Sequence, residues 1–357
     1  MKIMFAIHAL SGGGAERQMS YLSEYLASHN YNLIVVYRDE GPLGDDALLE
    51  NVKYYKLKTK GNYNLSIIPE LYRLIKREKP NVIQSWINQF DVLIGIIRIL
   101  CRFKWVSREA NSGTNHKGFR NKWLRERLLS RVDHVVANSP QGYEYWKDKT
   151  NASLILNGFK LTAEPMPSEE DTTTASHGNN YILYVGRLVK HKNVDKLIEC
   201  FAETHMQDSH RLVICGEGSM KEELVELIAN LNLADKVDMP GFLPASDIKR
   251  LMHGARLLCL LSDYEGMPNV VFEAMMLKTP VLLSSSKSHT ALFDEESVTF
   301  VDMNNTDDLT QTLDTLVSQD HDSAKTESAY RFVANCSVDK MSNSYIQLYE
   351  SLIMSAQ

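Results

Sequence analysis

The sequence predicts an α/β protein made of two doubly wound, Rossmann-like domains that face a central cleft. Three observations predict this fold class. Short apolar runs alternate with helical segments along most of the chain, the alternation stops once in a polar stretch, and it then resumes. Such alternation is typical of βαβ units and a parallel sheet. The length of 357 residues is sufficient for two domains.

Apolar runs and the amphipathic segments between them predict the elements of the first half. The predicted strands are residues 3–8, 33–37, 82–85, 105–107, 134–137 and 154–156. The predicted helices are residues 15–28, 67–78 and 90–100. We therefore assign residues 1–161 to an amino-terminal Rossmann-like domain.

A polar stretch with two prolines and no periodicity, residues 162–180, predicts a linker. After it, the predicted strands are residues 181–185, 212–215, 257–261, 280–283 and 299–301. The predicted helices are residues 193–204, 220–231, 246–253 and 269–277, and residues 338–354 form a long final helix. We assign residues 181–337 to a second Rossmann-like domain.

Composition and cysteine usage favour a globular protein of the cytoplasm. The chain is 44% hydrophobic and 24% charged, and its five cysteines contain no C-x-x-C pair. Cys200, Cys215 and Cys259 lie in apolar runs and are predicted to be buried and free, as in a reducing compartment. The first residues lack a small-residue cleavage site, and the longest apolar stretch, residues 92–100, is far shorter than the ~20 residues of a membrane span.

Charge is divided unevenly between the two halves. Residues 1–160 contain 24 basic and 15 acidic residues, whereas residues 161–357 contain 15 basic and 30 acidic residues. A basic half joined to an acidic half indicates that one half meets an anionic partner. Unselected drift in charge is the alternative explanation.

Three glycine-containing turns follow predicted strands and precede helices, where backbone N–H groups and a helix N-terminus favour a phosphate. The first contains Gly12, Gly13 and Gly14, but Glu16 and Arg17 break the G-x-G-x-x-G spacing of dinucleotide-binding loops. The other two contain Gly216 and Gly218, and Pro240, Gly241 and Phe242. Simple tight turns would explain each of the three equally well.

Two cations follow the first strand of the second half. Arg187 and Lys192 lie in the segment Val185–Gly–Arg–Leu–Val–Lys–His–Lys–Asn, at the carboxyl end of the strand and before a helix. Two cations beside a helix N-terminus suit a pyrophosphate, and arginine offers bidentate geometry. A solvated basic loop is the alternative.

Two carboxylates eight residues apart follow the predicted strand 257–261. Pro268 suits the first turn of a helix, which places Glu265 on the loop and Glu273 on the helix behind it. Backbone groups of Gly266, Met267, Pro268 and Asn269 line the helix entrance. The pattern therefore predicts an anion site flanked by two acceptors for sugar hydroxyls, with a capped surface helix as the alternative.

Taken in order, these motifs resemble the GT-B fold retaining glycosyltransferases of the E-x7-E type, known as glycosyltransferase group 1 or family four. The matching segments are the glycine turn at residues 11–17, Asn157-Gly158, V-G-R-L-x-x-x-K-N, G-x-G, P-G-F and E-G-M-P-N-x-x-x-E. They extend across nearly the whole chain. Each motif is weak or moderate by itself, and the ordered set is specific.

The resemblance implies roles for these residues. Arg187 and Lys192 would hold the donor diphosphate, Glu273 the ribose hydroxyls and Glu265 the hydroxyls of the transferred sugar. Donor contacts would also come from the remaining motif positions, which are Gly13, Gly14, Gly216, Gly218, Phe242, Gly266, Met267, Pro268 and Asn269. The first domain would hold the acceptor, and the final helix, residues 338–357, would pack back on it.

The resemblance also implies a mechanism without a metal or other cofactor. Arg187, Lys192 and helix N-termini would stabilise the leaving diphosphate, and this phosphate would take the acceptor proton. Asp263 and Glu265 mimic a D-x-D metal motif, which belongs to another glycosyltransferase architecture. The sequence departs from the family at the first-domain histidine that contacts the donor sugar, for which His116 is the candidate replacement.

A basic and aromatic segment in the first half predicts the acceptor or membrane side of the protein. Residues 98–131 contain ten basic residues, with apolar side chains interleaved. Such a composition suits anionic lipid, and a polyprenyl-diphosphate-linked glycan would be a fitting acceptor. The candidate residues are Arg108, Glu109, His116, Arg120 and Trp123. A partly buried, partly solvated face is the alternative, and no nucleic-acid-binding module is found.

The resemblance and the basic segment together imply a metal-independent glycosyltransferase of bacterial surface polysaccharide biosynthesis, cytoplasmic or peripheral on the inner face of the plasma membrane. A UDP-sugar is the favoured donor and GDP-mannose the next. A nucleotide-sugar epimerase and a non-catalytic nucleotide-sugar-binding scaffold remain as alternatives. A nicotinamide-dependent dehydrogenase is disfavoured, because neither glycine loop has the dinucleotide spacing.

Overall fold

The computed structural model describes residues 1–10, 13–39, 49–58, 66–110, 119–161, 180–319 and 322–355, with the backbone alone at residues 119–122, 208 and 306. The chain divides into two compact units. Met1–Gly158 and Cys336–Gln357 form the first unit, and Phe159–Asn335 form the second. Most of the predicted linker, residues 162–179, lies outside the described residues.

The sheet of the first unit contains seven parallel strands in the described part of the chain. They are β1 (Lys2–Ala6), β2 (Asn32–Tyr37), β3 (Val52–Lys56), β4 (Val82–Ser85), β5 (Lys104–Glu109), β6 (His134–Ala137) and β7 (Ala152–Leu154). Their order is β3-β2-β1-β4-β5-β6-β7. The strand order reverses between β1 and β4, which is the switch point of a doubly wound sheet.

The sheet of the second unit repeats this arrangement with six parallel strands. They are β8 (Tyr181–Val185), β9 (Arg211–Cys215), β10 (Val237–Gly241), β11 (Leu257–Leu260), β12 (Val281–Ser284) and β13 (Thr299–Val301). Their order is β10-β9-β8-β11-β12-β13, so the reversal lies between β8 and β11. Two parallel sheets of this order confirm the predicted α/β class with two doubly wound, Rossmann-like domains.

Helices connect the strands of both units. They are α1 (Gly14–Ser28), α2 (Ile67–Glu78), α3 (Asn88–Leu100), α4 (Phe119–Leu129), α5 (Pro140–Trp146), α6 (Val194–Glu203), α7 (Lys221–Asn230), α8 (Ala245–Gly254), α9 (Asn269–Met276), α10 (Lys287–Thr290), α11 (Thr306–Ser318), α12 (Ser323–Ala334) and α13 (Val338–Met354). Helices α1 to α5 and α13 belong to the first unit. No helix among the residues that the structure describes is long and apolar enough to span a membrane.

Apolar side chains pack on both faces of the first sheet. Met4 contributes to the core that contains residues of α2 and α3, and the next residue, Phe5, contributes to the opposite core. This opposite core includes Leu22 of α1 together with Tyr345 and Tyr349 of α13. Successive side chains of a strand point to opposite faces, so a strand covered on both sides has a continuous apolar sequence. Helix α13 thus completes the core of the first unit.

Several elements were not predicted from the sequence. Strand β3 contains two lysines, and β10 contains Pro240 and Gly241. Both strands lie at sheet edges, where polar residues and proline are tolerated because one side forms no ladder. Helices α4, α5, α10, α11 and α12 were also missed, and β7 covers Ala152–Leu154 rather than residues 154–156. The prediction that Cys200, Cys215 and Cys259 are buried and free is confirmed.

Candidate functional site

The predicted cations and the first predicted carboxylate meet at the switch point of the second sheet. Arg187 and Lys192 follow β8, and Glu265 follows the neighbouring strand β11. Because β8 and β11 are parallel neighbours, their carboxyl ends bring the two following loops together. Ligands of doubly wound sheets bind at this position.

An ion pair joins the two loops. The Nζ atom of Lys192 donates to Oε1 of Glu265, and the two side chains are 12% and 14% exposed. Ser262 Oγ donates to the same carboxylate oxygen at 2.8 Å. The backbone N–H of Glu265 donates to Ser288 Oγ at 3.0 Å. Glu265 is therefore held at both its backbone and its carboxylate while the pair keeps some access to solvent.

Asn193 makes a second connection between the same loops. Its amide Nδ2 donates to the carbonyl oxygen of Leu261 at 2.8 Å and to Oδ1 of Asp263 at 2.7 Å. The residue has φ +52°, a left-handed conformation that asparagine adopts more readily than most residues. The Asp263 carboxylate thus accepts a hydrogen bond from the Asn193 amide.

Arg187 presents an exposed cation at the carboxyl end of β8. Tyr184 Oη donates to the carbonyl oxygen of Arg187 at 3.0 Å, which fixes the backbone of this turn. Within the described residues, the Arg187 guanidinium makes no hydrogen bond or ion pair. A guanidinium in this setting is available to a phosphate or another anion.

Gly216 and Gly218 allow the loop after β9 to pack directly on the loop after β8. A Cβ atom at Gly216 would lie 1.9 Å from the carbonyl oxygen of Gly186, and one at Gly218 would lie 2.1 Å from that of Leu188. Leu188 N–H donates to the carbonyl oxygen of Glu217 at 2.9 Å. These glycines therefore set the position of the turn that carries Arg187.

The remaining predicted donor residues of the second unit lie around helix α9 and after β10. Gly266 is half-buried, and Met267 and Pro268 are buried just before the first helical residue, Asn269. Glu273 is half-buried on the second turn of α9. Phe242 follows β10 and is 76% exposed. A large exposed apolar ring is compatible with contact to a flat ligand group such as a base.

Two histidines near the ion pair are kept neutral. His191 stacks on Tyr264 with ring centroids 4.4 Å apart, and burial together with the neighbouring Lys192 lowers the pKa of His191. His289 on α10 is fully buried, and burial lowers its pKa as well. The site at neutral pH therefore contains the charges of Lys192, Arg187 and Glu265 without added imidazolium charge.

In the first unit, the predicted glycine turn leads into helix α1. Gly13 directly precedes the helix, Gly14 is its first residue, and the N–H of Arg17 donates to the carbonyl oxygen of Gly13 at 3.0 Å. Gly12 lies outside the described residues. Gln18 of the same helix exchanges hydrogen bonds of 2.9 Å and 2.8 Å with the backbone of Gly158, part of the predicted Asn157-Gly158 motif.

The predicted acceptor-side residues separate into buried and exposed ones. Arg108 is buried, with its guanidinium 2.5 Å from Asn157 Oδ1 and over the ring of Trp86. Glu109 is fully buried and accepts from Arg125 at 2.8 Å. Trp123 on α4 is 55% exposed. Because Arg108 and Glu109 are buried, we expect them to stabilise the fold of the first unit. Trp123, by contrast, is exposed to solvent.

For two of the predicted acceptor-side positions the structure describes no side chain. His116 lies outside the described residues, and only the backbone of Arg120 is described. Their proposed roles stay predictions. No group of three or more His, Cys, Asp and Glu residues suitable for a metal ion occurs in the described ranges.

Sequence reasoning gave no role to three residues that fix the geometry around Glu265. These are Asn193, Ser262 and Ser288. Asn193 is the last residue of the V-G-R-L-x-x-x-K-N motif, and a structural role could have been expected because asparagine directly before a helix favours turns and caps. Ser288 lies 23 residues beyond its partner Glu265, and a contact at that separation leaves no local pattern in the sequence.

Two family models match the chain. The model of "Glycosyl transferases group 1" matches residues 167–332, and that of "Glycosyltransferase Family 4" matches residues 12–162. The first model covers the motifs around β8 and β11. The two models together extend over most of the sequence.

The chain is also similar to bacterial enzymes and to solved structures. It is 27% identical to a Campylobacter jejuni N-acetylgalactosamine-N,N'-diacetylbacillosaminyl-diphospho-undecaprenol 4-alpha-N-acetylgalactosaminyltransferase, over 89% of this chain and 91% of the relative. It is 23% identical to an Escherichia coli UDP-Gal:alpha-D-GlcNAc-diphosphoundecaprenol alpha-1,3-galactosyltransferase, over 79% of each. The fold matches Anabaena Alr3699/HepE in complex with UDP-glucose, with a TM-score of 0.84, 18% identity and coverage of 98% and 100%.

Proposed function

The chain belongs to the family-four glycosyltransferases of the GT-B fold, and from this premise we propose that it moves a sugar from a UDP-sugar to a lipid-linked glycan. The observation that carries the proposal is the Lys192–Glu265 pair at the switch point of the second sheet, with the Arg187 cation beside it. Such a site offers cations to a diphosphate and a carboxylate to sugar hydroxyls.

The donor would bind the second unit. Arg187 and Lys192 would hold the diphosphate, Glu273 the ribose and Glu265 the transferred sugar. A UDP-sugar is favoured because one relative is named for UDP-Gal and the matched Anabaena structure contains UDP-glucose. GDP-mannose is the second candidate donor.

The proposed reaction retains the anomeric configuration and needs no metal. The bond between the anomeric carbon and the diphosphate oxygen breaks, and the acceptor hydroxyl oxygen forms a bond on the same face. The acceptor proton moves to the leaving phosphate. Lys192 and Arg187 would stabilise the negative charge that develops on this phosphate. The α linkages in the names of both relatives support retention if the donor is an α-nucleotide sugar.

The acceptor would be a polyprenyl-diphosphate-linked glycan of bacterial surface polysaccharide biosynthesis, handled by the first unit. Both relatives are named for diphospho-undecaprenol substrates. Exposed apolar side chains lie on α3 and α4 at Ile99, Leu100, Trp123 and Leu124, and Arg127 stacks over Trp123. Apolar and basic groups together suit the surface of an anionic membrane, so we place the enzyme on the inner face of the plasma membrane.

A transfer assay tests the proposal. Purified protein is incubated with UDP- and GDP-sugars, a synthetic diphosphate-linked glycan acceptor and excess EDTA. We expect transfer from one UDP-sugar, and proton NMR of the product that shows the same anomeric configuration as the donor. An inverted linkage would contradict retention. Conversion of the donor to its epimer without acceptor would favour the epimerase instead.

Membrane association is tested separately by flotation with anionic and neutral liposomes. We expect binding to anionic liposomes alone, and weaker binding after Trp123→Ala, which removes the exposed ring from α4. Equal binding to both kinds of liposome, or no binding to either, would contradict the proposed membrane role. It would leave the proposed donor site unaffected.

A further inference from the structure

Glu265 has one carboxylate oxygen occupied and one available. Its Oε1 atom accepts from both Lys192 Nζ and Ser262 Oγ. Within the part of the chain that the structure describes, Oε2 makes no hydrogen bond or ion pair. A carboxylate has about four acceptor positions, so Oε2 retains the capacity to accept from a ligand hydroxyl. The protein contacts thus distinguish the two oxygens of this side chain.

The backbone of Glu265 is fixed by a different segment of the chain. Glu265 lies on the irregular loop between β11 and α9, where no strand or helix ladder fixes its position. Its N–H donates instead to Ser288 Oγ at 3.0 Å, and Ser288 is buried on α10. The segment after β12 therefore positions a residue that follows β11.

Buried contacts behind this loop support Ser262 in turn. Ser284 Oγ at the end of β12 donates to the carbonyl oxygen of Ser262 at 2.6 Å. His289 Nδ1 lies 3.0 Å from the carbonyl oxygen of Ser284, and a carbonyl only accepts, so this nitrogen carries the proton. Ser262, Ser284 and His289 are essentially inaccessible to solvent. These contacts fix the backbone of Ser262, whose hydroxyl donates to Oε1 of Glu265.

We propose that Ser262 and Ser288 are positioning residues that fix Glu265 so that Oε2 alone faces one hydroxyl of the donor sugar. This inference rests on the proposed function. A carboxylate held at one oxygen and at its backbone accepts from a hydroxyl in one direction only. Such a site rejects a donor in which that hydroxyl has the opposite configuration, because the bound sugar then covers the acceptor oxygen without giving it a partner. The two serines therefore set the choice between epimeric sugars.

Different groups of the site are expected to recognise the sugar and the nucleotide. UDP alone lacks the sugar hydroxyls, so its contacts with the diphosphate-binding cations do not involve Oε2. Loss of either serine hydroxyl leaves Lys192 and Arg187 in place. The effect of the serines should therefore appear with a nucleotide sugar and be absent with the free nucleotide.

The experiment is calorimetric titration of the full chain with UDP, UDP-glucose and UDP-galactose, together with the N-acetylated pair of these sugars. In wild type we expect a preference for one epimer of a pair. Ser262→Ala and Ser288→Ala should each weaken binding of the preferred UDP-sugar about tenfold, because each removes a hydrogen bond to Glu265. Each should also reduce the ratio between the affinities for the two epimers. UDP affinity should be unchanged in both variants.

Three further variants control for loss of structure. Ser262→Thr and Ser288→Thr retain the hydroxyl and should restore epimer preference. Ser285→Ala removes an exposed hydroxyl from the same segment and should have no effect. Equal weakening of UDP and UDP-sugars by the alanine variants, or an unchanged preference, would overturn the positioning role. Wild type that binds UDP without preferring an epimer would overturn it too.

Failure of the proposed function gives a different result. GDP and GDP-mannose are titrated in parallel with the uridine nucleotides. Wild type that binds neither UDP, GDP nor any of their sugars would refute the nucleotide-sugar site itself, and the positioning role with it. Binding to the nucleotides with normal epimer preference in both alanine variants would refute the positioning role alone.

Discussion

Two ionic clusters follow parallel strands in this protein, one in each unit, and they differ in how completely they are closed. In the second unit, Lys192 and Glu265 retain partial exposure and a carboxylate oxygen without a partner among the described residues. In the first unit, Arg125 on α4 bridges Asp91 and Glu109 at 2.7 Å and 2.8 Å, and its side chain is 3% exposed.

The partners of the first cluster show what a closed site looks like. Asp91 Oδ1 accepts from Ser85 Oγ at 2.5 Å and from Ser107 Oγ at 2.7 Å, while Oδ2 accepts from Arg125. Glu109 Oε2 also accepts from Trp146 Nε1 at 3.0 Å. The buried carboxylates raise the pKa of Arg125 despite its burial. This cluster joins α3, α4, α5 and β5, and the side chains of Asp91, Glu109 and Arg125 are buried.

A charged residue at the end of a strand therefore does not by itself mark a binding site. Glu109 was predicted as an acceptor-side residue because it lies in the basic and aromatic segment 98–131. The structure places it in the closed cluster, whereas Glu265 lies in the open one. The difference is burial, because the Glu109 side chain is fully buried whereas that of Glu265 is 14% exposed. The following changes test that difference.

Removal of the central cation should have the largest effect on stability. Arg125→Met leaves the Asp91 and Glu109 carboxylates buried without their cation, and we expect a loss of about 3–5 kcal/mol in the free energy of unfolding. Chemical denaturation measures this loss. Arg127→Met, on the exposed face of the same helix, is the matched control and should change little. Similar stabilities for the two variants would contradict a structural role for the closed cluster.

Neutralisation of the open cluster should affect activity rather than stability. Glu265→Gln keeps the shape of the side chain but removes its charge, and we expect kcat/KM for transfer to fall roughly 10- to 150-fold, as for a lost hydrogen bond to a charged group. The loss of unfolding free energy should be smaller than for Arg125→Met, because the paired side chains are 12% and 14% exposed and glutamine can still accept a hydrogen bond. Full activity together with strong destabilisation would reverse the assignment of the two clusters.

Displacement of the loop that carries Arg187 should have an intermediate effect on both properties. Gly218→Ala places a Cβ atom against the carbonyl oxygen of Leu188, and we expect about 1–3 kcal/mol of destabilisation from overpacking. Nucleotide affinity should fall as well, because Leu188 adjoins Arg187. Thermal unfolding and calorimetry measure the two effects. Ser219→Ala, exposed in the same loop, serves as control, and an unaltered Gly218→Ala protein would refute the tight packing.

The smallest effect should be a change in the pH dependence of stability. Burial lowers the pKa of His289 below its usual value of 6.5, and the Lys192 charge acts in the same direction. The hydrogen bond to Ser284 and the Glu265 charge oppose this shift but do not cancel it. Below pH 6.5 the unfolded chain takes up a proton at this residue while the folded chain does not. The stabilising contribution is therefore fully present above pH 6.5 and is lost as pH falls through the folded pKa.

The His289→Gln variant isolates this contribution from that of other histidines. The difference in unfolding free energy between wild type and variant should shrink as pH falls from neutral into the acidic range. Denaturation curves at a series of pH values measure it. A difference that stays constant with pH would show that His289 is not held neutral by the fold.

The sequence was informative where local chemistry decides structure. The βαβ alternation predicted both sheets, and Pro268 marked the start of α9 before Asn269. Edge strand β10 was missed because Pro240 and Gly241 are typical of a turn, and only pairing with β9 makes it a strand. Ser288 was missed because its contact with Glu265 depends on the sheet order, which places β12 beside β11. Local sequence patterns therefore predicted most strands and helices, whereas the geometry of the site depends on tertiary contacts.

The most direct test of the account is thermal unfolding of wild type and Lys192→Met with UDP- and GDP-sugars in EDTA. Ligand binding to the folded state raises the unfolding temperature. We predict a clear rise for wild type with one nucleotide class and little or none for Lys192→Met, which should be folded without ligand. A folded wild type that no nucleotide sugar stabilises, or a variant that responds as wild type does, would contradict a nucleotide-sugar site at the Lys192–Glu265 pair.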